Sequence, residues 1–412
     1  MKKSFPFLVL AFFMSFVSFS QSISTSPYSL YGLGSLYDAN FGLIPALGTA
    51  GIALPSESFI NNKNAASLTN IELNHFFFEV GGIGLQTSFE NKQKTENRNN
   101  FQFSHFAFAF PITAKSAVSV ALMPYSSSSF KISGLKIPII DGSDEYYYLD
   151  VMGTGGLNNL DFSYAYKLSK KLSFGLSGSV LFGNTTDKRT FSTNGSVTTI
   201  DKKVSYGGIR PVFSSQFKMD PSLSFGLNVK APSRVNADKI QSVTVVNDTG
   251  TSALETDKKS DTDDFYLPLE IGVGFNKGFK NKLNMTFDYD KKFWDATNQS
   301  DMYGTFSNQE KFAFGLSYQK AKTSRNYFDR IKYAGGVNYD TGYLEVDNKK
   351  IEDRNFSIGV SLPLDQLSSA LFISYSYGQK GEITNSLVQE NYHKLTLNLN
   401  LDGIWFVRRK LE

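Results

Sequence analysis

From Leu395 to Leu401 every second residue is leucine, and Thr396, Asn398 and Asn400 fill the places between. A period of two puts the leucines on one face of a β-strand and the polar residues on the other. The same period recurs far upstream. "LSFGLSGSVLF" aligns Leu172, Phe174, Leu176, Val180 and Phe182, and "KFAFGLSYQ" aligns Phe312, Phe314, Leu316 and Tyr318. "NFSIGVSLPL" and "SALFISYSYG" repeat it with Phe356, Ile358, Val360 and Leu362, then Leu371, Ile373, Tyr375 and Tyr377. Ser, Gly, Ala and Gln sit between these residues. "FQFSHFAFAF" changes phase at His105, which reads as a β-bulge. Two fold classes accommodate such strands: a soluble sandwich whose polar face meets water, and a membrane barrel whose apolar face meets lipid.

The aromatic content narrows the choice. The 412 residues include 37 Phe and 21 Tyr, yet mean hydropathy is −0.23, because the aromatics alternate with small polar residues. Beyond the first twenty residues nothing is apolar enough for a transmembrane helix, so a membrane form must be a closed barrel, with no unpaired edge in lipid. The runs give fourteen strands: 73–88, 100–112, 116–132, 156–168, 171–186, 204–218, 222–234, 266–277, 282–293, 309–319, 331–341, 355–363, 369–379 and 392–402. Fourteen is even, as single-chain bacterial barrels require, and every second connection is short. A sandwich does not sort its connections by parity. The predicted fold is therefore all-β: a transmembrane antiparallel β-barrel of about 14 strands with an N-terminal lumenal hatch. Residues 187–203 and 235–264 are expected outside the cell, and 169–171 and 278–282 in the periplasm.

Residues 1–20 read as a secretory signal peptide. Lys2-Lys3 precede an apolar run from Phe5 to Phe19, with small residues before a cleavage point after Ser20. Residues 21–71 form the hatch segment, 72–406 the barrel and 407–412 a periplasmic tail. Trp405-Phe406 suits the membrane–water boundary, and Arg408-Arg409-Lys410 lies beyond it. The absence of cysteine excludes a lipid anchor at that residue and any disulfide framework. Net charge is +4, with Lys and Arg spread evenly along the sequence, so nucleic acid is not an indicated partner.

"PALGTAGIALPSESFINNKNAASLTNI" precedes the first strand, rich in small residues and without a clean period. It reads as a compact plug for the lumen, or else as a loose periplasmic tail. This stretch resembles the hatch of the FadL family of outer-membrane hydrophobic-compound channels. There a Gly-Ala stretch leads into an Asn-Pro-Ala turn. Here Gly48, Ala50 and Gly51 match the stretch, and Asn64, Ala65 and Ala66 occupy the turn, with alanine in place of proline. "FYLPLEIGVGF", with Pro268 and Gly272, and "LNMTFDYDKKFWDA", with Asp288-Tyr289 before Trp294, are similar to the family too. "SPYSLYGLG" and "WFVRRKLE" resemble its Bacteroidetes branch, in which one accessory barrel serves protein export. The resemblance implies passive transport of small hydrophobic molecules through an outer-membrane barrel, with no cofactor. It makes Gly48, Gly51, Asn64, Ala65 and Ala66 the gate.

Enzymatic chemistry is not indicated. His75, His105 and His393 are the only histidines, and none stands beside a Ser-Asn-Gly run that would mark a base and nucleophile. The acidic stretch 255–264 lacks the glycine turn and final glutamate of a calcium loop, so it reads as a solvated outer loop and no metal is expected. "GTGGL" at 153–157 leads into a strand, not the helix a phosphate loop needs. The stretch 134–153 carries two apolar arms joined by a turn: Ile137, Ile139 and Ile140, then Tyr146, Tyr147, Tyr148 and Leu149. Exposed together they form an outer hydrophobic groove, and packed on neighbouring loops they form a lid. The expected partners are outer-membrane lipid and a hydrophobic small molecule. The competing reading is a docking or accessory subunit of an outer-membrane secretion or gliding complex. A continuous apolar path through the lumen favours transport, and a polar, filled lumen favours docking. Along the last strand, arginine at Leu397 should impair assembly, and arginine at Asn398 should be tolerated.

Overall fold

The structure, a computed structural model, describes residues 26–38, 41–139, 145–193, 195–280, 282–301, 304–365, 368–384 and 387–404. The expected signal peptide, Ile140, Trp405-Phe406 and the basic tail lie outside the described residues. Fourteen strands form one closed antiparallel ring. They are β1 (His75–Glu90), β2 (Thr95–Thr113), β3 (Ser116–Pro124), β4 (Tyr146–Lys167), β5 (Leu172–Thr193), β6 (Ser196–Asp220) and β7 (Leu223–Lys230). The ring continues with β8 (Glu270–Phe279), β9 (Leu283–Lys292), β10 (Gln309–Gln319), β11 (Lys332–Asp340), β12 (Asp353–Pro363), β13 (Ala370–Lys380) and β14 (Gln389–Ile404). It closes where β1 pairs with β14, from His75↔Ile404 to Glu90↔Gln389.

The period of two decides which face meets lipid. Along β14, Leu395 and Leu401 are exposed, Leu397 and Leu399 are half-buried, and Thr396, Asn398 and Asn400 are buried toward the lumen. Phe312, Leu316, Phe356 and Ile358 are likewise exposed outward. The register between β1 and β2 shifts from Gly81↔His105 to Gly82↔Phe103, which places the bulge at Ser104, beside the predicted phase change.

The outer ends depart from expectation. Residues 187–203 are not a loop: β5 and β6 run 22 and 25 residues and turn back within 193–196. At about 3.4 Å per residue such strands far exceed an apolar band ~25 Å tall. The 235–264 connection is also a hairpin, Ser233–Asn247 with Gly250–Ser260, the first arm paired along the upper part of β6. Thr and Val in "SVTTI" and "QSVTVVN" favour extended backbone, so the ladder continues into water where lipid no longer imposes alternation.

Inside the ring lies the hydrophobic core. Phe41, Ile60 and Leu68 pack on Ala107, Ala109, Ala117, Ala121 and Ala165, small inward residues of β2, β3 and β4 that leave room for them. Leu43, Ile44, Leu47, Leu54 and Phe59 pack on the opposite side against Ala370 and Phe372 of β13. Residues 41–71 therefore run within the barrel.

Candidate functional site

The site is the lumen. Its N-terminal chain spans the full height, from Ser26, whose hydroxyl donates to Glu390 at the outer end of β14 (2.5 Å), to Asn70, whose amide donates to Gln216 near the short-turn end of β6 (2.9 Å). Three tiers follow each other downward.

The outer tier is apolar. Tyr28 and Leu33 pack with Trp294, Phe306, Leu344 and Val346, and Trp294 stacks on Tyr343 with centroids 4.8 Å apart. Residues Ser35–Leu36 pair with Ser126–Ser127, fixing the segment to the wall.

Below it is a cavity of about 160 Å³ lined by Asn159, Asp161, Asn228, Lys230, Asp290 and Lys292, among others. Arg210 donates to Glu270 at 2.9 Å, Lys230 pairs with Glu270 at 3.1 Å, and Lys311 pairs with Asp38. The middle of the lumen sets these charges beside apolar side chains such as Leu68, Met123 and Leu181.

The lowest tier is the segment 41–71, held by two buried carboxylates. Glu79 of β1 accepts the Gly42 N–H at 2.5 Å and the Ile60 N–H at 2.9 Å. Asp288 of β9 accepts the Gly51 N–H at 2.6 Å and the Ile52 N–H at 3.0 Å. Both side chains are fully buried, and charge-assisted hydrogen bonds are the stronger kind. His105 stacks on Phe41 at 3.6 Å, with its Nε2 3.5 Å from Glu79. Side chains elsewhere on the wall add bonds. Asn398 donates to the Gly42 carbonyl at 3.0 Å, Asn338 to the Gly48 carbonyl at 3.2 Å, and Gln216 and Ser224 both donate to the Ala53 carbonyl.

The sequence-read residues fall as follows. Gly48 ends a 3-10 turn at φ 61°, its N–H donates to Ser357 (2.9 Å), and a Cβ there would strike the backbone of Val337. A Cβ on Gly51 would meet the side chain of Ile44 first, not backbone, so its demand for smallness is weaker. Asn64 caps the turn Ala65–Asn70: its Oδ1 accepts the Ala66 N–H at 3.0 Å, and its Nδ2 donates to the Ile52 and Ser215 carbonyls. Ala65 and Ala66 are buried where β5 approaches at Gly175.

The hairpin residues stand apart from these. Ile137 pairs with Tyr147 across the arms, Ile139 and Tyr148 are about half exposed, Tyr146 lies under Lys136, and Leu149 pairs with both Leu135 and Phe191. The arms continue the raised sheet above β5 and are not brought to the lumen segment. Sequence reasoning missed Glu79 entirely. Its signal was a lone acid in "FFFEVGG", a charge inside a strand that lipid surrounds.

A family model for BamG matches residues 1–412. No curated protein sequence matches the chain. Among solved structures, the toluene transporter TbuX of Ralstonia pickettii is 17% identical, with 88% of this chain and 98% of that one covered at a TM-score of 0.59. The Pseudomonas putida toluene transporter TodX is 12% identical over 90% and 100%, with a TM-score of 0.61. A Pseudomonas aeruginosa FadL homologue is 10% identical over 90% and 100%, with a TM-score of 0.60. At these identities the likeness establishes a shared fold.

Proposed function

We propose that this chain, a member of the BamG family, is an outer-membrane channel of the FadL type, admitting small hydrophobic molecules when its hatch shifts. The hatch is residues 41–71, with Gly48, Gly51, Asn64, Ala65 and Ala66 at its turning points. One observation carries the reading: a compact segment is tied across the lumen of a fold shared with toluene transporters. The apolar outer tier supplies a first resting place for a hydrophobic solute, and the exposed arms around Tyr148 a landing surface above it. Entry is passive and needs no cofactor. Proteoliposomes of the full chain should take up a small aromatic hydrocarbon faster than empty vesicles, and Asp288→Ala should raise the rate further.

A second reading has its own observation. The middle tier is charged and the lower tier bonded along its length, and a polar, filled lumen suits a docking subunit whose raised outer sheet meets other envelope proteins. Uptake at the empty-vesicle rate by both wild type and Asp288→Ala would put this reading ahead.

A further inference from the structure

Lys and Arg are spread along the sequence, but the fold gathers them at one rim. The six short turns, residues 111–116, 166–172, 217–223, 276–283, 319–332 and 363–370, hold thirteen Lys and Arg against three Asp. The whole chain is only +4, so the remainder is net negative. At the other rim, residues 255–264 set five acidic side chains against two lysines. Some of the rim cations are engaged: Lys320 pairs with Asp329 at 2.9 Å and Lys277 with Asp220 at 3.7 Å. Lys115, Lys170, Lys171, Lys280, Lys282 and Arg325 are exposed, and their side chains have no partner among the described residues. Each turn also exposes at least one large apolar side chain, among them Ile112, Leu168, Met219, Phe279, Phe328 (72%) and Leu364.

We propose that this rim is a collar for the anionic phospholipid headgroups of the leaflet on the short-turn side, the periplasmic side in barrels of this class. In the five turns that carry cations, an apolar group enters the bilayer edge and a Lys or Arg reaches a phosphate at the same depth. The cations occupy five consecutive turns of the ring. A lipid annulus surrounds the wall and meets them all, whereas a protein docked on one side leaves most of them unmatched.

The test uses the full chain in detergent-washed nanodiscs of phosphatidylcholine with or without phosphatidylglycerol, with retained lipid read by native mass spectrometry. Wild type should retain phosphatidylglycerol roughly tenfold over phosphatidylcholine, since each lysine near an anionic surface contributes on the order of fivefold. The preference should shrink as salt rises. Lys170→Glu/Lys171→Glu/Lys280→Glu/Lys282→Glu should abolish it, and the outer-rim control Lys188→Glu/Lys202→Glu/Lys258→Glu/Lys259→Glu should keep it. Equal retention of both lipids by wild type overturns the proposal, and so does a preference that survives the rim reversals. If that variant does not fold, the wild-type preference and its salt dependence decide alone. A photo-crosslinker at Lys171 that captures a protein instead of lipid in intact cells also overturns it.

Discussion

Glu79 and Asp288 each accept two backbone N–H groups from the lumen segment, so four of its bonds end on two side chains. A hydrogen bond to a charged group contributes about 1.5–3 kcal/mol, and Asp288→Ala should weaken the seat of residues 51–52 by about 3 kcal/mol or more. The ladders of β8, β9 and β10 do not depend on that carboxylate, so the barrel should remain heat-modifiable while residues 41–71 become open to protease. Glycine substitutions should rank by geometry. Gly48→Val combines a left-handed φ of 61° with a collision against the Val337 backbone, whereas Gly51→Val meets the Ile44 side chain first. Limited proteolysis of both variants should find the segment released in the first and largely retained in the second. Equal protection in both would contradict the close approach at Gly48.

At the scale of the strand, Leu397→Arg turns a charge toward lipid near mid-membrane, at roughly 2–4 kcal/mol, and should reduce the heat-modifiable form. Asn398→Arg should be tolerated far better by the barrel, but not by the segment inside it. Asn398 does point inward, but it is buried against the Gly42 carbonyl and the wall at Gly81, so arginine there has no room. It should leave the barrel assembled and displace the segment, measured as folded protein with residues 41–71 cleaved. A tag at Asp248-Thr249, the tip of the raised hairpin, should be labelled on intact cells, and a tag at 169–171 should not. The strands were legible because lipid on one side and a crowded lumen on the other impose a period of two, as in Leu395 to Leu401. Their outer ends were not, because water on both faces lets Thr190, Thr199 and Val245 extend a ladder with no alternation to read. In the lumen, Asn64 was legible from its cap-and-turn context, whereas what Glu79 and Asp288 bond is not legible until the segment's N–H groups are placed beside them.

The lumen as a whole carries three tiers: an aromatic tier, a charged chamber and a tied segment. Both the transport reading and the gate residues depend on closure at rest and opening on loss of the carboxylates. Single-channel recording in planar bilayers tests this most directly, with wild type compared against Glu79→Ala/Asp288→Ala. The wild type should be silent, and the double variant should conduct in discrete steps while remaining heat-modifiable. A wild type that conducts as well as the double variant, or a folded double variant that stays silent, would contradict this.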